Sequence, residues 1–348
     1  MMSESVQLTQ FSKGSGCGCK IAPAVLQQML DGVRTTQHFP SLLVGNESSD
    51  DAAVIELPGG LCLISTVDFF TPVVDDARTF GKIAATNALS DVYAMGGTPV
   101  AAIAVLGWPV DKLTPALAGE VLQGAREVCD TIGIPLAGGH SIEAPEPFFG
   151  LSVNGIVKKE CIRRNTGVKE GDLLFLTKPI GSGMISAARK RGIATPEMSE
   201  DAEHWMCTLN APGAVFGALP GVHAMTDITG FGLLGHLREM LGDGNCSAEL
   251  FTRKIPVMKG VEQLIEQMVY PDMTMKTYSA LAPLTSPLDA YKLLLGCDPQ
   301  TSGGLLVAVD PASAHEFKAS VRALHLPDFV IEPIGCIIAP TNHLISMV

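Results

Sequence analysis

The alternation of short apolar runs with amphipathic helical stretches is the feature that most constrains the fold of this chain. Short apolar runs are typical of strands, whereas apolar residues spaced three and four apart indicate helices. When the two element types alternate along a sequence, mixed α/β (α+β) architecture is the expected result. The clearest predicted strands are residues 52–57, 61–66, 100–106, 151–157 and 173–177.

Two predicted helices have clear start signals. Thr114-Pro115 is an N-cap and first-turn pair, and the helix that follows is expected to close at Gly133. A second helix is expected from Asp310-Pro311 to Leu324, followed by an apolar stretch over residues 330–338.

The length of 348 residues is enough for about two domains of ~150 residues each. Residues 158–172 are polar and charged, so we place the domain boundary there, with an N-terminal domain at 1–157 and a C-terminal domain at 158–348. The second half begins again with a strand, a glycine-rich turn at 181–183 and a helix. Both halves carry a Gly-Gly segment, but the spacing is too loose to define a repeat.

Composition excludes several classes of protein. Hydrophobic residues make up 47% and charged residues 17%, which is typical of a globular enzyme. A net charge of −12 without any Lys/Arg cluster repels nucleic acid and anionic membranes, so neither is an expected partner. The N-terminus has no signal-peptide pattern, and no apolar stretch is long enough for a membrane span. Nine cysteines without a regular pattern favour a reducing compartment, and we expect a cytoplasmic protein.

Residues 13–20 read Lys-Gly-Ser-Gly-Cys-Gly-Cys-Lys and place two thiols between two ammonium groups. A nearby cation such as Lys20 lowers the pKa of a thiol, and glycines let a substrate approach closely. A reactive cysteine is therefore one interpretation. A metal-binding loop is another, although two thiolates are half of a structural zinc site. An inert glycine-rich tail is the third, and the local residues do not separate the three.

Acidic residues recur at five positions along the chain. A carboxylate at any one of them is most simply a helix cap or a solvated turn. Carboxylates from several loops converge at low cost only around cations, and hard oxygen ligands select Mg²⁺ or Mn²⁺. Asn87 and Asp91 are four residues apart on a predicted helix and share a face. The positions are Asp50-Asp51, Asp68, Asp91, Asp227 and Asp298, of which Asp298, before a proline, is expected to be structural.

Standard nucleotide-binding signatures are missing from the sequence. Gly14 to Lys20 approaches a phosphate-binding loop, but Ile21 stands where a metal-binding hydroxyl is required. A phosphate site would therefore depend on metal held by aspartates. The small residues around Gly138-Gly139 offer a close approach for phosphate or ribose. His140 is a candidate ligand or base, and by default a packed turn residue.

Taken together, these motifs resemble the selenophosphate synthetase (selenide, water dikinase) family, which is part of the aminoimidazole-ribonucleotide-synthetase-like ATP-binding enzymes. The similarity runs in order through residues 14–304. It is carried by Gly14-Ser-Gly-Cys17-Gly-Cys-Lys20, Leu42-Leu-Val-Gly-Asn46, Asp50-Asp-Ala-Ala-Val54, Ser65-Thr-Val-Asp68-Phe-Phe70, Asn87-Ala-Leu-Ser-Asp91, Leu136-Ala-Gly-Gly-His140-Ser141, Ala224-Met-Thr-Asp227-Ile-Thr-Gly-Phe-Gly232 and Cys297-Asp-Pro-Gln-Thr-Ser-Gly-Gly304.

The resemblance implies a reaction in which ATP, selenide and water give selenophosphate, AMP and orthophosphate. Selenophosphate would serve selenocysteine and selenouridine production. It also implies a two-domain fold whose N-terminal mixed sheet pairs across a homodimer, followed by a C-terminal α/β domain. ATP would lie near that interface under a mobile N-terminal loop of about residues 1–47. Potassium dependence is a family trait, and a selenium-delivery protein is a further partner to consider.

The resemblance also assigns roles to individual residues. Cys17 would be the essential active-site residue, with Lys20 as its cationic partner near the phosphates. Mg²⁺ would be held by Asp51, Asp91 and Asp227. Nucleotide contacts would come from Lys20, Ser48, Ser49, Asp50, Asp68, Asp91, Gly139, His140 and Ser141.

Two other functions remain open from the sequence. A different ATP-dependent enzyme of the same superfamily would share the aspartates but would not need the Cys17 to Lys20 loop. A non-catalytic carrier could bind selenium or a soft metal through Cys17 and Cys19, but it would give no reason for the aspartates.

Overall fold

The computed structural model describes residues 6–12, 14–16, 18, 20–21, 23–30, 37–45 and 50–348. Two six-stranded sheets are present in this part of the chain, one in each half, and helices pack against both. The predicted mixed α/β architecture is therefore confirmed. None of the helices in these residues combines the length and the apolar character that crossing a membrane requires.

The first half forms a sheet with two long helices on one side. Its helices are α1 (Pro23–Leu30), α2 (Ala77–Ala94) and α3 (Pro115–Thr131). Its strands are β1 (Leu42–Val44), β2 (Ala53–Glu56), β3 (Leu61–Phe70), β4 (Thr98–Trp108), β5 (Leu136–Glu143) and β6 (Phe148–Lys158).

The strand order of this sheet is β1-β2-β3-β6-β4-β5. β3 pairs with β6 in antiparallel register along its whole length, whereas β4 and β5 are parallel. In β3 the side chains alternate between Ile64 and Phe70, which are buried, and Val67 and Phe69, which are about half exposed. α2 packs on β3 and β6, and α3 packs on α2, so one face of the sheet is covered.

The other face of the first sheet is open and apolar. Val67 pairs with Ser152 of β6, and Ser152 pairs with Ile103 of β4, so the three side chains point to the same side. We call this surface the open sheet face. Its exposed apolar residues are Val67, Phe69, Ile103, Ile142 and Ile156.

The second half forms a sheet that is covered more completely. Its strand order is β12-β9-β11-β7-β10-β8, and all its pairs are antiparallel except β9 with β12. Its strands are β7 (Leu173–Leu176), β8 (Val222–Asp227), β9 (Ser247–Leu250), β10 (Leu305–Val309), β11 (Gly335–Ile338) and β12 (Ile345–Met347). Its helices are α4 (Ser182–Lys190), α5 (Pro196–Met206), α6 (Pro212–Phe216), α7 (Gly232–Met240), α8 (Val261–Glu266), α9 (Asp272–Leu281), α10 (Ala290–Cys297) and α11 (Ala314–Ala323).

The five clearest predicted strands lie within a few residues of the observed β2, β3, β4, β6 and β7. The helix expected from Asp310 begins with a 3₁₀ turn, Pro311–Ser313, before α11. Within the apolar stretch 330–338 only Gly335–Ile338 is a strand, because Pro333 lacks the N–H that a ladder requires. The first sheet ends with β6 at Lys158 and the second begins with β7 at Leu173, and we retain residue 157 as the proposed end of the N-terminal domain.

Candidate active site

The covered face of β3 meets α2 through two hydrogen-bonded pairs. Thr66 and Asp68 alternate with the outward Val67 and so point toward α2. Asn87 Nδ2 donates to Asp68 Oδ2 at 2.6 Å, and Thr66 Oγ1 donates to Asp91 Oδ2 at 2.5 Å. The predicted shared face of Asn87 and Asp91 is therefore confirmed, since both side chains meet the same strand.

The second half supplies another carboxylate at the same place. Asp227 is the last residue of β8, and the neighbouring Thr226 Oγ1 donates to Asp51 Oδ1 at 3.0 Å. The backbone N–H of Asn165, between the two sheets, donates to Asp50 Oδ1 at 2.8 Å. Carboxylates from the segment before β2, from β3, from α2 and from β8 are thus near enough to affect one another electrostatically. We call Asp51, Asp68, Asp91 and Asp227 the aspartate cluster.

The electrostatics of the aspartate cluster are unfavourable. Asp227 is buried, and the carboxylates of Asp51 and Asp91 are enclosed although part of each residue reaches solvent. Enclosure raises the pKa of all three, and neighbouring carboxylates raise it further. Among the described residues, Asp51 Oδ2 and Asp227 Oδ2 are buried without a hydrogen-bond partner. Such strain is typical of a functional site rather than of a stabilising network.

The donor chemistry of the cluster fits a hard divalent cation. Carboxylate oxygens are the ligands that Mg²⁺ and Mn²⁺ prefer, and the two unpartnered oxygens are of this type. Within residues 50–348 and the shorter described segments, no three Asp, Glu, His or Cys side chains are close enough to form one metal-binding group. The fit therefore rests on the burial and the donor type, and the metal roles of Asp51, Asp91 and Asp227 remain a prediction.

Lys20 lies beside the aspartate cluster. Its Nζ donates to Thr229 Oγ1 at 3.3 Å and sits 5.9 Å from the centre of the Phe231 ring. The positive charge of Lys20 partly offsets the effects that raise the pKa of Asp91 and Asp227. The structure thus brings the predicted cation to the predicted acidic residues, through the residues that follow Asp227 in sequence.

The residues around Cys17 are docked onto both halves of the molecule. Gly16 N donates to Thr71 O at 3.1 Å, and Ser15 Oγ lies 2.6 Å from Ser186 Oγ of α4. Lys190 Nζ donates to Gly14 O at 2.6 Å. Glycine is required at position 16 because its φ is +52° and a Cβ there would collide with Thr301 Oγ1.

Four predicted residues lie outside the described part of the chain. They are Cys17, Cys19, Ser48 and Ser49, and their roles remain predictions from the sequence.

A buried lysine was missed by the sequence analysis. Lys178 is 2% exposed, and burial lowers its pKa to about 7. Its Nζ donates to Ser302 O at 2.9 Å, and Ser302 N donates to Asn87 Oδ1 at 2.8 Å. Asn87 in turn holds Asp68, so this chain of contacts links the second sheet to the first. The sequence does contain a signal for its burial. Lys178 directly follows the apolar run 173–177, and the end of an apolar strand is usually buried.

Gly139, His140 and Ser141 are placed apart from the aspartates. They lie on the edge strand β5, and none of the hydrogen bonds described joins them to the cluster. His140 is exposed, so its default interpretation as a packed turn residue is wrong. The reason is that β5 pairs only with β4, which leaves its other side open. Gly139 and Ser141 border a cavity of about 280 Å³ between β5 and α3.

Asp298 has the structural role that was expected. Its Oδ2 accepts hydrogen bonds from Gly183 N at the start of α4, at 3.1 Å, and from Gln300 Nε2, at 2.8 Å. Burial raises its pKa to about 8, so the carboxyl is mostly neutral at pH 7.

Comparison with known families assigns both halves of the chain. The family model described as AIR synthase related protein, N-terminal domain, matches residues 49–157, and the corresponding C-terminal domain matches residues 169–340. The chain is 50% identical over 346 residues to the selenide, water dikinase of Bordetella bronchiseptica, covering 99% of this chain and 100% of that protein. It is 51% identical over 334 residues to the selenide, water dikinase of Pseudomonas aeruginosa, covering 96% of each.

Solved structures support the same fold at lower identity. Thiamine-monophosphate kinase from Stenotrophomonas maltophilia matches with a TM-score of 0.63 at 18% identity, covering 94% of this chain and 96% of that chain. The HypE-HypF complex matches with a TM-score of 0.64 at 16% identity, covering 94% of this chain and 96% of that chain. The two-domain fold that the motifs implied is confirmed, and identity near one half over almost the full length shows that the chain belongs to the selenide, water dikinase family of AIR synthase related proteins.

Proposed function

We propose that this protein makes selenophosphate from selenide, ATP and water and releases AMP and orthophosphate. The observation that carries the proposal is the aspartate cluster, built from both halves and facing Lys20, in a chain about 50% identical to selenide, water dikinases. Transfer of a phosphoryl group needs charge stabilisation and positioning more than covalent chemistry from the protein. The aspartate cluster and Lys20 are suited to supply the charge stabilisation and the positioning.

Asp51, Asp91 and Asp227 are the proposed ligands of Mg²⁺. Bound Mg²⁺ would offset the charge of the ATP phosphates and of the carboxylates. The residues of this chain prepare the site, since Thr66 orients Asp91 and Thr226 orients Asp51. Potassium dependence is proposed from the family resemblance alone.

The nucleotide is proposed to contact residues around the cluster. Asp68 and Asp91 lie on adjoining elements, and Asn87 fixes the orientation of Asp68. Asp50 is held by Asn165, and Ser48 and Ser49 precede it in sequence.

A homodimer would bring Gly139, His140 and Ser141 to the nucleotide of the partner. The register places His140 on the same side as Phe69, through Val105 and Gly150, so it belongs to the open sheet face. An exposed apolar surface of this kind marks an interaction site. We therefore propose that a second copy covers the open sheet face.

Cys17 and Lys20 are the proposed catalytic residues for the selenium step. Gly14 and Gly16, just before Cys17 in sequence, are docked, Lys20 follows three residues after it, and a cation favours the thiolate form of a cysteine. The seven described cysteines are all free thiols, in keeping with a reducing, cytoplasmic setting. A selenium-delivery protein is a further proposed partner.

Phosphorus NMR tests the proposal directly. The protein is incubated without oxygen with ATP, Mg²⁺ and selenide, and selenophosphate and AMP are expected to accumulate together. Cys17→Ala is expected to bind ATP but to form no selenophosphate, whereas the control Cys246→Ala is expected to retain activity. A wild-type protein that forms neither product would sink the proposal, and full turnover by Cys17→Ala would favour another ATP-dependent reaction.

A further inference from the structure

A cavity of about 460 Å³ lies between the segment around Cys17 and the second half of the molecule. Its described walls come from Gly14, Ser15, Gly18 and Lys20, from α4, from the start of α9 and from Pro299 and Thr301. Four cations line it, namely Lys20, Lys190, Arg191 and Lys276, against Asp272 as the acidic residue among the described lining. We call it the cationic cavity.

The charge of this cavity is opposite to that of the whole protein. The chain carries a net charge of −12, so four cations around one cavity are a local reversal. Arg191 Nη2 donates to the neutral Tyr270 O at 3.0 Å, and the ion pairs among the described residues include neither Arg191 nor Lys276. A cleft lined by one sign of charge concentrates ions of the other sign.

Lys20 connects the cationic cavity to the aspartate cluster. It lines the cavity and also hydrogen-bonds Thr229 near Asp227. Gly18, which directly follows Cys17, lines the same cavity. A small anion held by Arg191 and Lys276 would thus lie against the segment that carries the proposed catalytic residues.

We propose that the cationic cavity binds a small inorganic anion of the reaction and that Arg191 and Lys276 are its binding residues. This inference rests on the proposed function, which supplies two such anions. The hydroselenide anion, HSe⁻, is the form of the substrate at neutral pH, and orthophosphate is an anionic product. Arg191 suits either, since a guanidinium is always charged and can also pair with an oxyanion through two N–H groups.

Steady-state kinetics on Arg191→Gln, Lys276→Gln and the double variant test the inference. Lys259→Gln is the matched control, because it removes one exposed charge from the same half without lining the cavity. Each single variant is expected to weaken anion binding about threefold and the double variant about tenfold, as loss of exposed charge contacts does. Added salt should reduce the difference between wild type and variants.

Two arms distinguish the anions. If selenide occupies the cavity, its KM rises while the KM for ATP and kcat hold. If orthophosphate occupies the cavity, the inhibition constant of orthophosphate rises in the variants while their KM for selenide stays at the wild-type value. Unfolding temperatures of all variants should match wild type. Changes below about twofold in both arms, or a rise confined to the KM for ATP, would overturn the inference.

A binding measurement separates this inference from the proposed function. Inorganic phosphate is titrated calorimetrically into wild type and into the double variant without ATP or selenide. Weaker binding by the double variant supports the cavity even if wild type makes no selenophosphate. Equal phosphate binding by the two proteins, or no binding by either, overturns the phosphate arm. If the KM for selenide is also unchanged in the variants, the inference as a whole is overturned.

Discussion

The aspartate cluster and the cationic cavity meet at Lys20 but are built in different ways. The cluster comes from strand β3, helix α2 and strand β8, and its carboxylates are enclosed by protein. The cavity is lined by exposed side chains at the end of α4 and the start of α9. Enclosed charges interact strongly with nearby groups and lower the stability of the fold, whereas exposed charges attract ions weakly and at longer range. The cluster is therefore suited to chemistry and the cavity to collecting an ion.

The largest effect is expected from Asp91→Asn. It removes one of the mutually repelling carboxylates and one proposed Mg²⁺ ligand, so kcat/KM should fall by at least about 10³-fold. The unfolding temperature should stay the same or rise by about 2–4 °C, the shift that ~1 kcal/mol gives in domains of 150–250 residues. Parallel assays of turnover and thermal unfolding measure both quantities.

Asp298→Asn is the matched control for that variant. Its carboxyl is already mostly neutral at pH 7 because its pKa is about 8, so an amide of the same shape should preserve activity. Equal losses in the two variants would contradict a special role for the cluster.

The next effect is expected from Lys20→Met. Loss of the charge beside Asp91 and Asp227 should lower kcat about 10²-fold, because fixed charges near a transferring phosphoryl group act mainly on the transition state. ATP binding should persist, and Lys20→Arg should restore part of the rate. Rapid-quench measurement of a single turnover checks this prediction. A wild-type rate for Lys20→Met would contradict it.

A smaller effect is expected from pH on Mg²⁺ binding. The pKa values of Asp51, Asp91 and Asp227 are raised, so protons that remain on them must leave before a cation binds. Affinity should therefore fall as the pH falls, by up to about tenfold per pH unit for each proton displaced. Calorimetry in buffers of different ionisation enthalpy counts these protons, and a Kd independent of pH would show that the cluster is already ionised.

The smallest effect is expected from Ser186→Ala. Removing its contact with Ser15 Oγ should lower kcat up to about fivefold, since one hydrogen bond contributes ~1 kcal/mol. Hydrogen exchange of residues 6–16 should rise in parallel. Ser279→Ala is the control, because Ser279 also makes one hydrogen bond, to Met275 O, but lies away from the loop. Unchanged exchange in Ser186→Ala would mean that other contacts dock the loop.

Sequence periodicity was sufficient for the elements that were predicted and for one face of the site. Four-residue spacing placed Asn87 and Asp91 on one face of a helix, and their side chains meet Asp68 and Thr66 there. These signals are local, so they can be read along the chain. The family resemblance supplied the remaining assignments, including Lys20 as the cationic partner of Cys17 near the phosphates.

Contacts between distant segments could not be predicted in this way. Lys178 and Ser302 are 124 residues apart, and no periodic pattern connects them. The cationic cavity is similar, because Lys20, Arg191 and Lys276 are far apart in sequence and line one cavity only in the folded chain. The exposure of His140 was missed because strand order, rather than strand identity, decides which strand is at an edge.

Ser302 has a further consequence for how the enzyme is synthesised. Its N–H is held by Asn87 and its carbonyl by Lys178, in a left-handed backbone conformation with a φ of +51°. A ribosome that has translated only the first 300 residues has already delivered every aspartate of the cluster. The nascent chain still lacks the residue that joins Asn87 to Lys178. We therefore expect activity to emerge late in translation, and prematurely terminated chains to carry the acidic residues without the junction that holds Asn87, the partner of Asp68.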